Sequence, residues 1–171
     1  MKAYVALLRA VNVGGTGKLP MSKLVAFCKS AGFAQVQTYI ASGNAIFLSA
    51  SCERDVRVAL EARLSDYAGK PVGVLVRTAD EIARAVANNP FADKPGNRVM
   101  ALFTDEPLPP HPLDGAAGVT DEQIRLGTRE LFVFYPNGAG VSRLRLPAQR
   151  SGTSRNMNTV AKLAGLAAEL T

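Results

Sequence analysis

The amino-acid sequence predicts an α+β protein, because short apolar strands alternate with amphipathic helices along the chain. Its first 77 residues read in the order β-α-β-β-α-β, which is the split βαβ order of ferredoxin-like folds. A hydrophobic content of 47% beside 20% charged residues is typical of a globular chain with a buried core. For 171 residues we expect two closely packed halves, residues 1–77 and residues 78–171, that form one compact unit.

Periodicity and turn residues define the elements of the first half. Met21, Leu24 and Cys28 share one face of a helix that Gly32 ends. The short segment ASG separates two apolar runs and therefore predicts a hairpin. The predicted order is a strand over 2–8, a Gly-rich loop over 9–20, the helix from Met21, strands over 36–40 and 44–48, a helix over 53–67 and a strand over 71–77.

The second half is predicted to be a looser α+β arrangement that ends in a helix. Thr78 and Glu81 form a capping box, in which each side chain bonds the other residue's backbone amide at a helix start. We regard this half as a candidate for a degenerate second copy of the first. Its predicted order is that helix, a strand over 99–104, a Pro-rich loop over 106–115, a hairpin within 122–135 and a last helix from about 155 to 170.

Positive charge is concentrated toward the two ends of the chain. Residues 1–52 contain five basic and no acidic residues, and residues 131–168 repeat that composition. Residues 53–130 carry ten basic and thirteen acidic side chains, within a net charge of +6 for the chain. The basic ends coincide with segments rich in Asn, Gly, Ser and Thr, which supply hydrogen-bond donors. This pattern predicts a site for an anionic ligand, either a phosphorylated small molecule or nucleic acid.

The N-terminal Gly-rich loop fits neither of the two common phosphate-binding glycine motifs. In a P-loop reading, Asn12 stands at the first glycine position and Leu19 replaces the Ser or Thr after the lysine. Pro20 occupies the third glycine position of a dinucleotide fingerprint. The amides of Gly14 and Gly15 could still form a small anion nest. The alternative is a turn in which glycine only supplies a positive φ.

Two further polar clusters are candidates for the same site. Ser42 and Asn44 lie at the predicted hairpin tip, where a turn role is the alternative. A predicted polar face from Arg155 to Lys162 lies over helix amides that favour an anion, and the alternative is an ordinary amphipathic surface helix. The candidate anion-binding residues are Arg9, Asn12, Gly14, Gly15, Lys18, Ser42, Asn44, Arg155, Asn158, Thr159 and Lys162.

The sequence contains no recognisable catalytic constellation. A serine nucleophile needs a base and an orienting group, and nothing ties the sole histidine, His111, to Ser42. The two cysteines form no ligand pattern, so we expect neither a metal site nor a cofactor. No apolar run approaches the roughly 18 residues of a membrane span. Because no targeting segment is recognised either, we expect a cytoplasmic protein without membrane partners.

Three segments, in order, resemble the signature stretches of the bacterial "domain of unknown function 1697" family. They are LLRAVNVGGTGKLPM, GFAQVQTYIASGNAIF and GTSRNMNTVAKL, and the resemblance extends over essentially the whole chain. It implies an α+β protein with tandem ferredoxin-like subdomains, and it implies no activity. One departure is Met157, where relatives commonly have Trp, an exchange that packing tolerates better than base stacking does. The matching motif positions are Arg9, Asn12, Gly14, Gly15, Lys18, Tyr39, Ser42, Gly43, Asn44, Arg155, Asn156, Asn158 and Thr159.

Three functional hypotheses follow from these patterns. The first is an anion-binding module in which the Gly-rich loop, the hairpin tip and the last helix converge on a phosphate-bearing ligand, with nucleic acid among the possible ligands. The second is an enzyme that acts on a small phosphorylated metabolite and takes its general base from a carboxylate such as Asp80 or Glu81. The third has no ligand, and the polar clusters join the two halves through side-chain to backbone hydrogen bonds.

Overall fold

The computed structural model describes residues 1–12 and 18–171. These residues form a mixed α+β structure with two four-stranded antiparallel sheets and four α-helices. The chain divides into two compact units, of which the first contains residues 1–83 and 163–171 and the second contains residues 84–162. Among the described residues, no helix is both long and apolar enough to cross a membrane.

The first unit has the β-α-β-β-α-β order that the sequence predicts. In chain order its elements are β1 (Lys2–Leu8), α1 (Met21–Ser30), β2 (Ala34–Thr38), β3 (Asn44–Ser49), α2 (Glu53–Ala68) and β4 (Val74–Thr78). The strand order in the sheet is β2-β3-β1-β4, with β1 antiparallel to both of its neighbours. The predicted bounds of these elements lie within three residues of the observed ones.

Every residue of β1 after Lys2 is apolar and buried, and alternate ones, Tyr4, Ala6 and Leu8, pack with helices α1 and α2. Tyr4 and Leu8 of β1 lie in one buried cluster with Leu24 and Cys28 of α1 and Leu60 of α2. Burial raises the pKa of the Cys28 thiol to about 12. The thiol therefore stays protonated at neutral pH and serves as a packing group.

The second unit also contains a four-stranded sheet, but loops connect its strands where α1 and α2 connect the strands of the first unit. Its strand order is β6-β7-β5-β8. Residues 104–122 and 135–152 are all described, and they contain 3₁₀ turns but no α-helix. The elements are α3 (Ala79–Ala87, partly in the first unit), β5 (Val99–Phe103), β6 (Gln123–Leu126), β7 (Glu130–Phe134), β8 (Thr153–Asn156) and α4 (Met157–Ala168, also shared).

Loop residues complete the core of the second unit. Leu144 and Leu146, from the connection between β7 and β8, are buried in one cluster with Leu102, Leu131 and Val133 of the sheet. The connection thus contributes the apolar side chains that α2 contributes in the first unit. The predicted hairpin within 122–135 is confirmed, since β6 and β7 pair antiparallel.

The pair β1–β4 of the first sheet and the pair β5–β8 of the second have corresponding registers. Val5 of β1 pairs with Arg77 of β4, and Ala101 of β5 pairs with Arg155 of β8. Both arginines are buried, at 2% and 6% exposure. In each, Nη1 donates to the carbonyl oxygen of the preceding residue at 3.0 Å. The two buried arginines therefore occupy matching positions in the two sheets.

The junction that follows each arginine is also repeated. Thr78 accepts a hydrogen bond at Oγ1 from the backbone N–H of Glu81, at 3.2 Å. Asn156 accepts one at Oδ1 from the N–H of Thr159, at 2.9 Å. Each side chain therefore caps the helix that starts at the next residue. Both units therefore end their fourth strand in the same way, with a buried arginine, then a capping residue, then a helix.

Candidate functional site

Asn12 has a structural role at the start of the first-unit loop. Its Nδ2 donates to the carbonyl oxygens of Leu19 at 2.9 Å and Ala41 at 2.8 Å. Its Oδ1 accepts from the N–H of Leu19 at 2.7 Å. Both amide protons are therefore used within the protein. The side chain joins Leu19, two residues before α1, to the hairpin between β2 and β3, and its two amide protons are occupied.

The predicted hairpin tip is a tightly packed turn. Asn44 is fully buried, and its Nδ2 donates to Tyr39 O at 2.8 Å and to Ser42 Oγ at 3.0 Å. Gly43 has a φ of +91°, and a Cβ there would lie 2.6 Å from a methyl carbon of Val11. Only glycine fits both the conformation and the space. Ser42 and Asn44 therefore shape the turn against the end of β1.

Backbone strain is concentrated at this end of the first sheet. Ala10, Asn12 and Ile40 have φ values of +51°, +55° and +54°. The left-handed region is costly for any side chain, and most costly for a β-branched one such as that of Ile40, which is 48% exposed. Strain of this kind is found most often where a binding or catalytic surface is held in place.

A cavity of about 460 Å³ lies in the first unit, where the ends of β1 and α2 meet the segment that leads into β4; we call it the first-unit cavity. Its volume is in the range of small-molecule sites. The cationic side chains of Arg9, Lys18 and Lys70 line it, and no acidic side chain is among the described lining residues. The other lining residues are Ala10, Val11, Leu19, Leu64, Tyr67, Ala68, Pro71, Val72 and Gly73.

Backbone contacts fix the position of Arg9 in this cavity. Its N–H donates to Gly73 O at 2.9 Å, which continues the pairing of β1 toward the segment before β4. A Cβ on Gly73 would lie 3.0 Å from Cδ of Arg9, so the stem of the arginine packs directly over the glycine. Arg9 is half-buried, so its charge lies close to low-dielectric protein that strengthens its field.

The back of the first-unit cavity is part of the hydrophobic core. Val11, Leu19 and Leu64 are buried members of the main cluster of this unit, and Val72 packs against that cluster. The ring of Tyr67 meets the ring of Phe27 edge-on, with centroids 5.6 Å apart. The cavity therefore combines a cationic side with an apolar and aromatic side.

The start of the last helix differs from the sequence prediction. Arg155 and Asn156 belong to strand β8, and α4 begins at Met157. The predicted helical face from Arg155 to Lys162 is therefore wrong, because pairing of this segment with β5 outweighs its helical pattern. The Nη1 of Arg155 donates to Thr153 Oγ1 at 2.8 Å, and burial lowers the pKa of the guanidinium to about 10.

The predicted site residues fall into four groups. The structure brings two of them into the first-unit cavity and uses three others to hold turns of the first unit. The residues that line the cavity are Arg9 and Lys18, and those that hold turns are Asn12, Ser42 and Asn44. Two residues, Gly14 and Gly15, lie outside the described residues. The second unit contains the other four, Arg155, Asn158, Thr159 and Lys162.

Most lining residues of the cavity were not identified from the sequence. Among them are Tyr67, Lys70 and Gly73, which lie at the end of α2 and in the segment after it. The sequence did contain a signal, since AGKP places a lysine directly after a helix-ending glycine. Gly69 ends α2 with a φ of +70°, which turns the chain and brings Lys70 to the cavity.

A second cavity, of about 410 Å³, lies within the second unit and has a different chemistry; we call it the second-unit cavity. Its charged lining residues are Asp121, Glu122 and Arg143. The Glu122 carboxylate accepts hydrogen bonds from the Ser142 hydroxyl at 2.6 Å and from Thr120 N at 2.8 Å. These bonds lower the pKa of Glu122 to about 2. The carboxylate thus links the two loops that form this cavity.

Comparison with known proteins gives a family and a fold. A family model described as "protein of unknown function (DUF1697)" matches residues 1–132. A solved structure of the conserved bacterial protein SP0830 from Streptococcus pneumoniae is similar over 97% of this chain and 98% of that chain, with a TM-score of 0.80 and 22% identity. At that identity the likeness shows the fold alone. No curated protein matches the chain.

Proposed function

The chain belongs to the DUF1697 family of proteins of unknown function, and from its own geometry we propose that it binds a small phosphate-bearing anion in the first-unit cavity. One observation carries this proposal. A cavity of ligand size, about 460 Å³, is lined by Arg9, Lys18 and Lys70, with no acidic side chain among its described lining residues. Three cationic side chains around one space attract an anionic ligand.

Arg9 is the residue best placed to orient that anion. Its planar guanidinium can hold two phosphate oxygens at once, whereas a lysine acts as a point charge. The backbone bond to Gly73 and the packing over that glycine hold its stem, so little conformational entropy remains to be lost on binding. Lys18 and Lys70 are exposed, and they add attraction at longer range.

The lining residues favour binding over acid–base catalysis. Among the described residues of the first-unit cavity there is no carboxylate and no imidazole, so no side chain there is an ordinary general base. Glu81 is one candidate base of the enzyme hypothesis, but its carboxylate accepts a hydrogen bond from the Thr78 N–H at 2.8 Å and caps a helix. An enzyme at this cavity would have to take its general base from Tyr67, Lys18 or Lys70.

Nucleic acid is the second candidate ligand, and the net charge of +6 favours it. The two ligands differ in salt dependence, because each neutralised phosphate of a strand adds roughly 0.7–0.9 to the slope of log affinity against log salt. A single phosphate group held in one cavity predicts a shallow slope. A strand that crosses a broad basic surface predicts a steep one.

We also assign both units to the ferredoxin-like class as tandem copies. The strand order β2-β3-β1-β4 and the matching order β6-β7-β5-β8 support this assignment, as does the βαββαβ order of the first unit. A cytoplasmic location, expected from the sequence, stays a prediction that cell fractionation tests.

Titration calorimetry with pyrophosphate tests the proposed function. We expect saturable binding by the wild type at low salt. Replacing the arginine in Arg9→Gln should weaken it roughly tenfold or more, because a hydrogen bond to a charged group contributes about 1.5–3 kcal/mol. Lys70→Ala should weaken it only a few-fold, since an exposed charge contributes about 0.2–1 kcal/mol.

Lys29→Ala is the matched control for these variants. Lys29 is an exposed lysine on α1 that is not among the lining residues, and its loss changes the net charge by the same amount. The control should bind pyrophosphate like the wild type. If the control loses as much affinity as Arg9→Gln, the attraction is a property of the whole charge and not of this cavity. No saturable binding by the wild type would also refute the proposal.

A further inference from the structure

Resting on the proposed function, we infer that the ligand joins its anionic group to an apolar aryl or alkyl group and not to a sugar. The reason is the way in which burial varies among the lining residues. Lys18 and Lys70 are exposed and Arg9 is half-buried, whereas Leu64 is only 1% exposed. The cations therefore stand toward solvent, and the apolar residues form the deep wall.

That arrangement places an amphiphilic anion in one orientation. Leu64 and Leu19 belong to the hydrophobic core, so the deepest atoms of a ligand would contact methyl groups that continue into the core. The anionic group would stay near the rim with the three cations, where water can still solvate it. Burial of the apolar part then contributes free energy that the exposed lysines cannot supply.

The described lining residues also offer few neutral polar side chains for a sugar. Among the described lining residues, the Tyr67 hydroxyl is the one neutral side-chain group that can make a hydrogen bond. The carbonyl of Gly73 already accepts the Arg9 N–H. Sugar hydroxyls moved against the apolar wall, away from the three cations, would lose water and find few partners among the described residues, which is unfavourable for each hydroxyl left unpaired.

Tyr67 offers a surface for a flat apolar group. Its ring is 45% exposed and lines the cavity, and the neighbouring ring of Phe27 supports it at an interplanar angle of 62°. Aromatic rings pack favourably against one another in offset or edge-on geometry. An aryl group attached to a phosphate would therefore contact Tyr67 while its phosphate contacts Arg9.

Three probes with the same phosphate chemistry test this inference: phenyl phosphate, ribose 5-phosphate and inorganic phosphate. Binding is followed by amide shifts in two-dimensional NMR at constant ionic strength. We expect phenyl phosphate to bind at least tenfold more tightly than inorganic phosphate, since it alone buries an apolar ring. Ribose 5-phosphate should bind no more tightly than inorganic phosphate.

A variant pair locates the effect within the cavity. Tyr67→Ala should weaken phenyl phosphate several-fold and leave inorganic phosphate unchanged, and Tyr67→Phe should keep the affinity of both. If ribose 5-phosphate binds as tightly as phenyl phosphate and Arg9→Gln weakens both, the inference fails and the proposed function stands. If no probe binds the wild type, both fail. Equal loss of both probes in Tyr67→Ala also overturns the inference.

Discussion

Each unit of this protein has a four-stranded sheet with the same arrangement of strands, and the two units differ in what lies at the ends of those strands. Both sheets have a buried arginine at the same register position and the same helix-capping junction after it. The first unit adds two helices and a basic cavity, whereas the second adds loops and a cavity that contains Asp121 and Glu122. The sheet therefore determines where connections begin, and the connections determine the chemistry.

One position that corresponds in the two sheets shows how the units differ. The N–H of Leu8 donates to Gly43 O, and the N–H of Thr104 donates to Arg129 O, both at 2.9 Å. Gly43 has no space for a side chain. Arg129 has a full side chain, and its Nη2 donates to Asp105 O at 2.7 Å. The first unit is thus crowded at this point and the second is open.

The substitution with the largest expected effect on stability tests the crowding at Gly43. Gly43→Ala should destabilise the protein by roughly 3–4 kcal/mol, because a left-handed backbone costs about 1–2 kcal/mol and overpacking costs about 1–3 kcal/mol. Arg129→Ala removes hydrogen bonds to Asp105 O and should cost about 1 kcal/mol. Urea unfolding measures both changes.

Gly32→Ala separates the two causes in the first unit. Gly32 has a φ of +85° but no atom within 4 Å of the added Cβ, so it should show the backbone cost of about 1 kcal/mol alone. Equal losses in Gly32→Ala and Gly43→Ala would mean that the close contact with Val11 contributes nothing.

A second prediction tests the equivalence of the two buried arginines. Arg77→Ala and Arg155→Ala should each lower the free energy of unfolding by roughly 2 kcal/mol, since each loses a buried stem and hydrogen bonds within its own strand. Thermal and urea unfolding of both variants provide the comparison. A large effect in one and none in the other would contradict the shared role that we assign to them.

The smallest effect distinguishes the second unit by its response to acid. The folded pKa of Glu122 is lowered from 4.5 to about 2, so its carboxylate stabilises the fold above about pH 4.5. That contribution should disappear as the pH falls from 4.5 toward 2. Glu122→Gln should remove this part of the pH dependence, which urea unfolding at pH 7 and pH 3 detects. An unchanged difference between the two pH values would show that the bond to Ser142 is not maintained in solution.

Local patterns in the sequence identified most of the fold. The hairpin around Ser42, the capping box of Thr78 and Glu81 and the helix α2 all depend on residues that are close in the chain, and all are present. The start of α4 was predicted wrongly because Arg155 pairs with Ala101, which is distant in the sequence. Single-sequence patterns do not detect such a partner.

The candidate site was predicted only in part for the same reason. Arg9 and Lys18 were recognised as basic residues of a Gly-rich loop. Tyr67 and Lys70 lie about fifty residues further along the chain and reach the cavity because α2 ends beside β1. The amide of Asn12 was expected to bind a ligand, but the structure uses it to hold Leu19 and Ala41. Whether a polar side chain is already hydrogen-bonded within the protein depends on tertiary contacts.

The most direct test asks which of the two cavities receives an anion. Phenyl phosphate is titrated into ¹⁵N-labelled protein, and the amides of Lys70 and Gly73 are followed beside those of Asn137 and Ser142. We predict saturable shifts at the first pair, none at the second pair, and loss of the first in Arg9→Gln. Shifts confined to the second-unit cavity, or spread evenly over the surface, would contradict the assignment of ligand binding to the first unit.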